Sequence, residues 1–269
     1  MGGMLSPFAD YHVHTPLCHH AAGWPVEYAR RAVELGLGEL GFADHNPMPE
    51  PFDEWRMSRA DLPRYLDEVQ RARAEFPQLT IRLGLECDFI AGREAWIEEL
   101  AGMAEWDFFI GSVHYIPEGW DIDNPRHLRR HMGHAEEIWG SYWKTYERAI
   151  RSGLYDFVGH PDLPKKFGYR PEGDLRRFYE PAVAALAECG VAFEINTAGL
   201  RKECRELYPA PEFVTMAREA GVPLLINSDA HAVAELGANF AEAVALAKAA
   251  GYGETARFAR REISFVALP

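Results

Sequence analysis

Lysine, side-chain amides and cysteine are scarce in this sequence, and long apolar runs are missing. Only 5 lysines accompany 23 arginines, and Asn and Gln together number 7. That bias fits a GC-rich or a heat-adapted source, and composition alone does not separate the two. The 28 Lys+Arg stand against 41 Asp+Glu, a formal net charge of −13 over 269 residues. So acidic a chain does not hold nucleic-acid polymers by general electrostatics. On its face the same charge disfavours a phosphate-ester substrate. The four cysteines, Cys18, Cys87, Cys189 and Cys204, form no CxxC pair. This argues against a disulfide framework or a zinc ribbon and makes a reducing compartment the default. No apolar run approaches the ~18 residues of a membrane span. Met1-Gly2-Gly3-Met4 lacks the basic-then-apolar order of a signal peptide. HExxH, P-loop and GxSxG motifs are absent, as are low-complexity and linker-like stretches. The expectation is a soluble, cytoplasmic protein with one domain over residues 1–269.

What is present is an alternation of short apolar runs with longer amphipathic ones. The runs Phe8–Val13, Glu39–Ala43, Leu79–Leu85, Phe108–Val113, Asp156–Gly159, Val191–Ile195 and Pro223–Ile226 read as strands, with Ile263–Val266 a weaker one. Gly36, Gly190 and Gly221 read as helix stops. Pro25 suits the first turn of a helix. Leu62, Tyr65, Leu66 and Val69 fall on one helical face. Residues 127–151 read as the longest helix, its Trp139, Tyr142, Trp143 and Tyr146 stripe as core packing. Repeated strand-then-helix units imply parallel strands with right-handed crossovers.

Each of the seven stronger strands is followed by a metal-ligating or polar residue: "DYHVHT", "ADH", "LGLE", "GSVH", "VGH", "EIN" and "NSDAH". In a (β/α) barrel the C-terminal strand ends converge on one face, so these residues meet in one pocket. The alternate residues His12 and His14 project to one side and bind one cation together. Asp10 shares that side, either orienting a ligand imidazole or standing solvated at the strand start. Asp229 and His231 repeat the i, i+2 spacing. Imidazoles with few carboxylates select Zn, Fe or Mn over Mg or Ca. Cys18 reads as a filler beside the metal loop.

These motifs, in this order, resemble the polymerase-and-histidinol-phosphatase (PHP) superfamily of metallophosphoesterases. "GSVH" followed by "GWD", together with "EINTAGLRK", resembles its histidinol-phosphatase branch. The resemblance implies a distorted (β/α)7 TIM-like barrel and three divalent transition-metal ions. It implies that His12, His14, Glu86 and Asp229 hold one ion. Glu86 would bridge to a second, held with His114 and His160, and His20, His45 and His231 would hold the third. His20 is preferred over His19 on family spacing. Glu86, Asp229 and His231 are the residues assigned to catalysis, with a hydroxide between two metals attacking phosphorus. Lys165, Arg201, Tyr115 and Trp120 are assigned to the substrate, and Glu194 and Asn196 to lining or supporting the pocket. His127, His131 and His134 match no family ligand and read as solvated or capping.

Three divalent ions against two carboxylates leave a formal local charge of about +4, which suits a phosphate monoester inside an acidic protein. The substrate implied is L-histidinol phosphate, with no nucleic acid and no membrane as partner. The rival readings are a PHP-type phosphoesterase acting on another small ester or nucleotide, and a non-catalytic metal-binding barrel. The second would lack ligands, and none of the nine is missing.

Overall fold

Seven parallel strands curl into a nearly closed barrel in the computed structural model, which describes residues 6–117 and 120–268. In chain order the strands are β1 (Ser6–Asp10), β2 (Leu37–Phe42), β3 (Thr80–Asp88), β4 (Phe108–Ser112), β5 (Tyr115–Ile116), β6 (Trp120–Asp121), β7 (Phe157–Val158), β8 (Ala192–Asn196), β9 (Leu224–Asn227), β10 (Glu254–Ala259) and β11 (Glu262–Ala267). The barrel runs β1-β2-β3-β4-β7-β8-β9, while β5–β6 and β10–β11 are separate antiparallel hairpins. Its strands carry the β-branched and aromatic runs read from the sequence. The last seam closes beyond the strand ends, where Val13 bridges Ala230. There the His14 amide donates to the Ala230 carbonyl at 2.9 Å, and the Ala230 amide to the His12 carbonyl at 3.0 Å. The seam thereby fixes the backbone of both His-x-His imidazoles.

Helices α1 (Pro25–Leu35), α2 (Leu62–Glu75), α3 (Glu94–Ala101), α4 (Leu128–His131), α5 (Ala135–Arg151), α6 (Arg176–Cys189), α7 (Pro211–Glu219) and α8 (Phe240–Ala249) surround the barrel. Those preceding Gly36, Gly190 and Gly221 stop at them, as read. The aromatic stripe of α5 is buried as expected. It also reaches the site: Tyr142 donates to the His160 carbonyl and Tyr146 to the Gly159 carbonyl, each at 3.2 Å.

Two sequence expectations need correction. The helix read over 127–151 is two helices, because Gly133 sits at φ +80 between α4 and α5, a conformation that costs glycine nothing and other residues dearly. The weak strand Ile263–Val266 lies in β11, outside the barrel, and its partner β10 was not foreseen. Ala256 and Phe258 of β10 join Tyr11, Phe108, Ile110 and Phe157 in the barrel's inner core. Arg261 seals that end, its amide donating to the Asp107 carbonyl and its Nε to Asp156. The interior is therefore packed beneath the site.

Among the described residues no helix is long and apolar enough to cross a membrane.

Candidate metal centre

All nine residues read as ligands lie together at the C-terminal ends of the strands. Glu86, on β3, is the hub and is almost wholly buried. Its Oε1 lies 2.8 Å from His160 Nε2 and 3.5 Å from His114 Nε2. Its Oε2 lies 2.9 Å from His45 Nδ1, 3.4 Å from His12 Nε2 and 3.5 Å from His14 Nε2. Asp229 Oδ1 approaches His14 Nε2 at 3.4 Å and His12 Nε2 at 3.7 Å. His20 and His231 face each other with Nε2 atoms 3.0 Å apart. His19 is exposed.

The donor set fits divalent ions on two observations. Ligand atoms bound tetrahedrally at 2.0–2.1 Å stand about 3.4 Å apart, which is the spacing of the His12, His14, Glu86 and Asp229 atoms. Further, His12 Nε2, both ring nitrogens of His14 and His160 Nδ1 are buried with no hydrogen-bond partner, an arrangement that costs free energy unless something fills it.

The electrostatics couple the acids to the rings, and the same acids hold His12 and His14 well above the usual imidazole range against burial. Burial pushes the Glu86 carboxyl up, but the imidazoles of His45, His12 and His114 outweigh it and hold it well below the usual range. Burial likewise opposes ionisation of Asp229, and the charges of His12, His231 and His14 reverse that. Burial presses His45 down to about 4 against the pull of Glu86. For His114 burial is outweighed by Asp88 and Glu86, which raise it to about 10. The cluster thus combines ionised carboxylates with closely packed imidazoles, the mixture that borderline metals favour.

The orienting groups differ from those read in the sequence. Asp10 does not touch a ligand ring. It accepts from the Ser228 amide at 3.0 Å, the Gly237 amide at 3.1 Å and the Ser228 hydroxyl, tying β1 to the loop that carries Asp229. Burial pushes its carboxyl up to about 6 against those hydrogen bonds. Glu194 orients His12 instead, at 3.0 and 3.1 Å from Nδ1. It also accepts from the His160 amide (2.8 Å), Asn196 (2.8 Å) and Asn227 (2.7 Å). With Nδ1 so engaged, the His12 Nε2 lone pair faces the cluster. Glu194→Gln is expected to lower turnover about 10–100-fold, the usual effect of losing a ligand's partner. Unchanged steady-state kinetics would exclude this role.

Asp88 and Arg56 went unread. Asp88 holds His114 Nδ1 at 2.9 Å and accepts from Arg56 at 2.8 Å. Asp88 was detectable, since it follows Glu86 by two residues on β3 and so shares its side. Arg56 carries no such signal.

The centre opens into a cavity of about 340 Å³, lined also by Trp55, Tyr115, Asp121, Asp123, Lys166 and Lys202. Tyr115 is on its wall as expected, donating to Asp53 at 2.7 Å. Trp120 is not, and instead meets His131 and Arg130. His131 is buried rather than solvated, between Trp120 and Phe167, and no partner meets its Nε2. Arg201 Nη2 donates to the Ser228 and Asp229 carbonyls at 2.7 and 3.3 Å, and its buried Nη1 has no partner.

Lys165 requires a correction. It is buried, donating to Asp162 at 3.2 Å and to the Leu207 carbonyl at 2.6 Å, away from the cavity. Its neighbour Lys166 faces the cavity, 2.9 Å from Asp123. Lys165→Met is therefore expected to cost about 3 kcal/mol of stability by leaving Asp162 buried and unpaired, with KM unchanged. Lys166→Met is expected to raise KM about tenfold with little change in melting temperature. Thermal denaturation and steady-state kinetics on both variants would expose the reverse pattern.

The PHP domain family matches residues 10–198 of the chain. A protein of Deinococcus radiodurans named "Probable histidinol-phosphatase" is 43% identical over 265 residues, 96% of this chain and 99% of that one. The histidinol-phosphatase of Bacillus subtilis is 29% identical, over 85% of this chain and 95% of its own. A crystal structure of histidinol phosphate phosphatase from Lactococcus lactis, complexed with Zn, L-histidinol and phosphate, superposes with a TM-score of 0.77 at 23% identity, covering 96% of this chain and 99% of the other. That likeness establishes the barrel.

Proposed function

The chain belongs to the PHP domain family, and on that premise we propose that it is a histidinol-phosphate phosphatase, hydrolysing L-histidinol phosphate to L-histidinol and inorganic phosphate in histidine biosynthesis. The residue assignment has His12, His14, Glu86 and Asp229 hold one ion, Glu86, His114 and His160 a second, and His20, His45 and His231 a third. When bound, divalent ions supply charge to the phosphoryl oxygens and lower the pKa of water. The reading takes Zn, Fe or Mn as the ions. It takes the protein as a single cytoplasmic domain that acts on small molecules and on no nucleic acid.

The observation that carries the substrate assignment is the mixed lining of one cavity, where the proposed ligands His20, His45, Glu86, His114, His160, Asp229 and His231 share the wall with Asp121, Asp123, Tyr115 and Trp55. Histidinol phosphate is a dianion joined to an amine and an imidazole, and such a cavity meets both halves. The Asp123 carboxylate, held well below its usual range against burial by Lys166 and His114, offers charge to the ammonium. Tyr115 and Trp55 offer a wall for the ring.

Among the described acids of this cavity, Asp121 alone is pushed up, to about 8, by burial and the charge of Asp123. That shift favours the protonated form of Asp121, and the reading makes it the acid that protonates the leaving alcohol. Asp121→Asn is expected to lower kcat about 10²-fold on histidinol phosphate. A phenolic ester whose leaving group needs no proton should lose far less. Equal losses on both would remove Asp121 from that role.

The function itself is tested by phosphate release from a panel of monoesters and diesters with metal-loaded protein. Histidinol phosphate is expected to give the highest kcat/KM. A higher value for a nucleotide or a diester would overturn the assignment.

A further inference from the structure

We infer that Cys18 is a metal ligand, its sulfur joining His20 and His231 around the ion nearest the cavity mouth. The inference rests on the metal centre proposed above and adds a donor of a different chemical class.

Local structure sets it up. The Thr15 hydroxyl accepts from the Leu17 amide and opens the short turn Pro16–Cys18. His19 then takes a left-handed conformation, φ +66, and faces solvent. That reversal returns His20 to the side of Cys18. His20 Nδ1 lies 2.7 Å from the Cys18 carbonyl, and His231 Nδ1 lies 3.1 Å from the Asp229 carbonyl. A carbonyl only accepts, so both Nδ1 atoms donate, and in the neutral rings both Nε2 atoms are lone pairs. These atoms face each other at 3.0 Å. A proton or a metal ion must lie between them at that distance.

Cys18 Sγ belongs to that contact. It, a His20 nitrogen and a His231 nitrogen all lie within 4.8 Å of one another, and so do Cys18 Sγ, His14 and Asp44. His14 is fully buried, and Cys18 and Asp44 stand against its ring.

A buried cysteine more often acts as a small hydrophobe. The chain contains such a case for comparison. Cys87 is equally buried and belongs to the apolar core, whereas Cys18 is absent from both hydrophobic clusters and is grouped with imidazoles and a carboxylate. A thiolate there adds one negative charge and a soft donor, which favours Zn over Mn in that position.

X-ray absorption at the zinc edge of the Zn-loaded full chain tests this. A sulfur shell at about 2.3 Å is expected beside the nitrogen and oxygen shell at about 2.0–2.1 Å. It should vanish in Cys18→Ala and persist in Cys204→Ala. The Co(II)-loaded wild type should show a sulfur-to-cobalt charge-transfer band that Cys18→Ala lacks. Cys18→Ala should also release one Zn per chain to a chelator at least tenfold more readily. A wild-type spectrum with nitrogen and oxygen scatterers only, or a sulfur shell that survives Cys18→Ala, would overturn the inference. With histidinol phosphate hydrolysis intact, either result would leave the proposed function standing. A chain that takes up no Zn and hydrolyses nothing would end both.

Discussion

Glu86→Gln is expected to lower kcat/KM on histidinol phosphate by at least about 10³-fold, or about 4 kcal/mol of transition-state stabilisation. The reason is the number of partners that one carboxylate serves. Both its oxygens lie within 3.5 Å of imidazoles, five rings in all, and Ser112 donates to Oε1 at 2.7 Å. An amide has one acceptor oxygen, no charge and two hydrogens that would point at lone pairs. Metal analysis should find at least one ion fewer per chain. The His45, His12 and His114 rings outweigh burial and keep Glu86 ionised, so the loss should be flat from about pH 6 to 9. A variant with turnover within tenfold of wild type, or with full metal content, would contradict the hub role.

Phe108→Ala is expected to cost about 4–5 kcal/mol, lowering the melting temperature by roughly 10 °C or more for a chain of this size. Phe108 lies inside the barrel, stacked on Tyr11 with ring centroids 5.1 Å apart and near Phe157 at 5.7 Å. It is opposite Gly84 in the β3–β4 register. A Cβ on Gly84 would stand 2.4–2.6 Å from three Phe108 ring atoms, and one on Gly41 would stand 2.9 Å from the same ring. That ring requires glycine at position 84, and at position 41 it does so together with Tyr11, whose Cδ1 would lie 2.7 Å away. Gly84→Ala alone should therefore destabilise by about 1–3 kcal/mol through overpacking. In the double variant Gly84→Ala/Phe108→Ala the clash is gone, so its cost should fall short of the sum by at least about 0.5 kcal/mol. Additive costs in chemical denaturation would show that ring and glycine do not compete for space. The packing also matters above it, because Tyr11 precedes His12 and Gly84 lies two residues before Glu86.

The barrel and the gathering of the proposed ligands were legible because each rests on a short-range rule. Strand runs, helix stops and a polar residue after each strand are local features, and the crossover rule then brings the strand ends to one face. His12 with His14 needed only the two-residue period of extended chain. Asp88 obeys the same period on β3, but the period alone does not separate a ligand carboxylate from one that orients a ligand. The β10 strand was missed for another reason. Its segment "ETARFA" is barely apolar, and it is held by burial against the barrel interior rather than by its own pattern.

By itself, then, the sequence determined the alternating architecture and the polar side chains that follow each strand, while the family resemblance completed the set of nine with His20. The tertiary structure alone decided which group serves which. His12 and Glu194 are 182 residues apart and meet only because the barrel closes, while Asp10, two residues from His12, is drawn off by Ser228 and Gly237. Lys165 and Lys166 are chemical equals in the sequence. In the tight turn Leu163–Phe167, with three residues per turn, successive side chains point about 120° apart. One lysine enters a buried ion pair and the other reaches the cavity. Local periodicity fixes the side a residue faces, but the partner it finds there depends on chain that returns from far away.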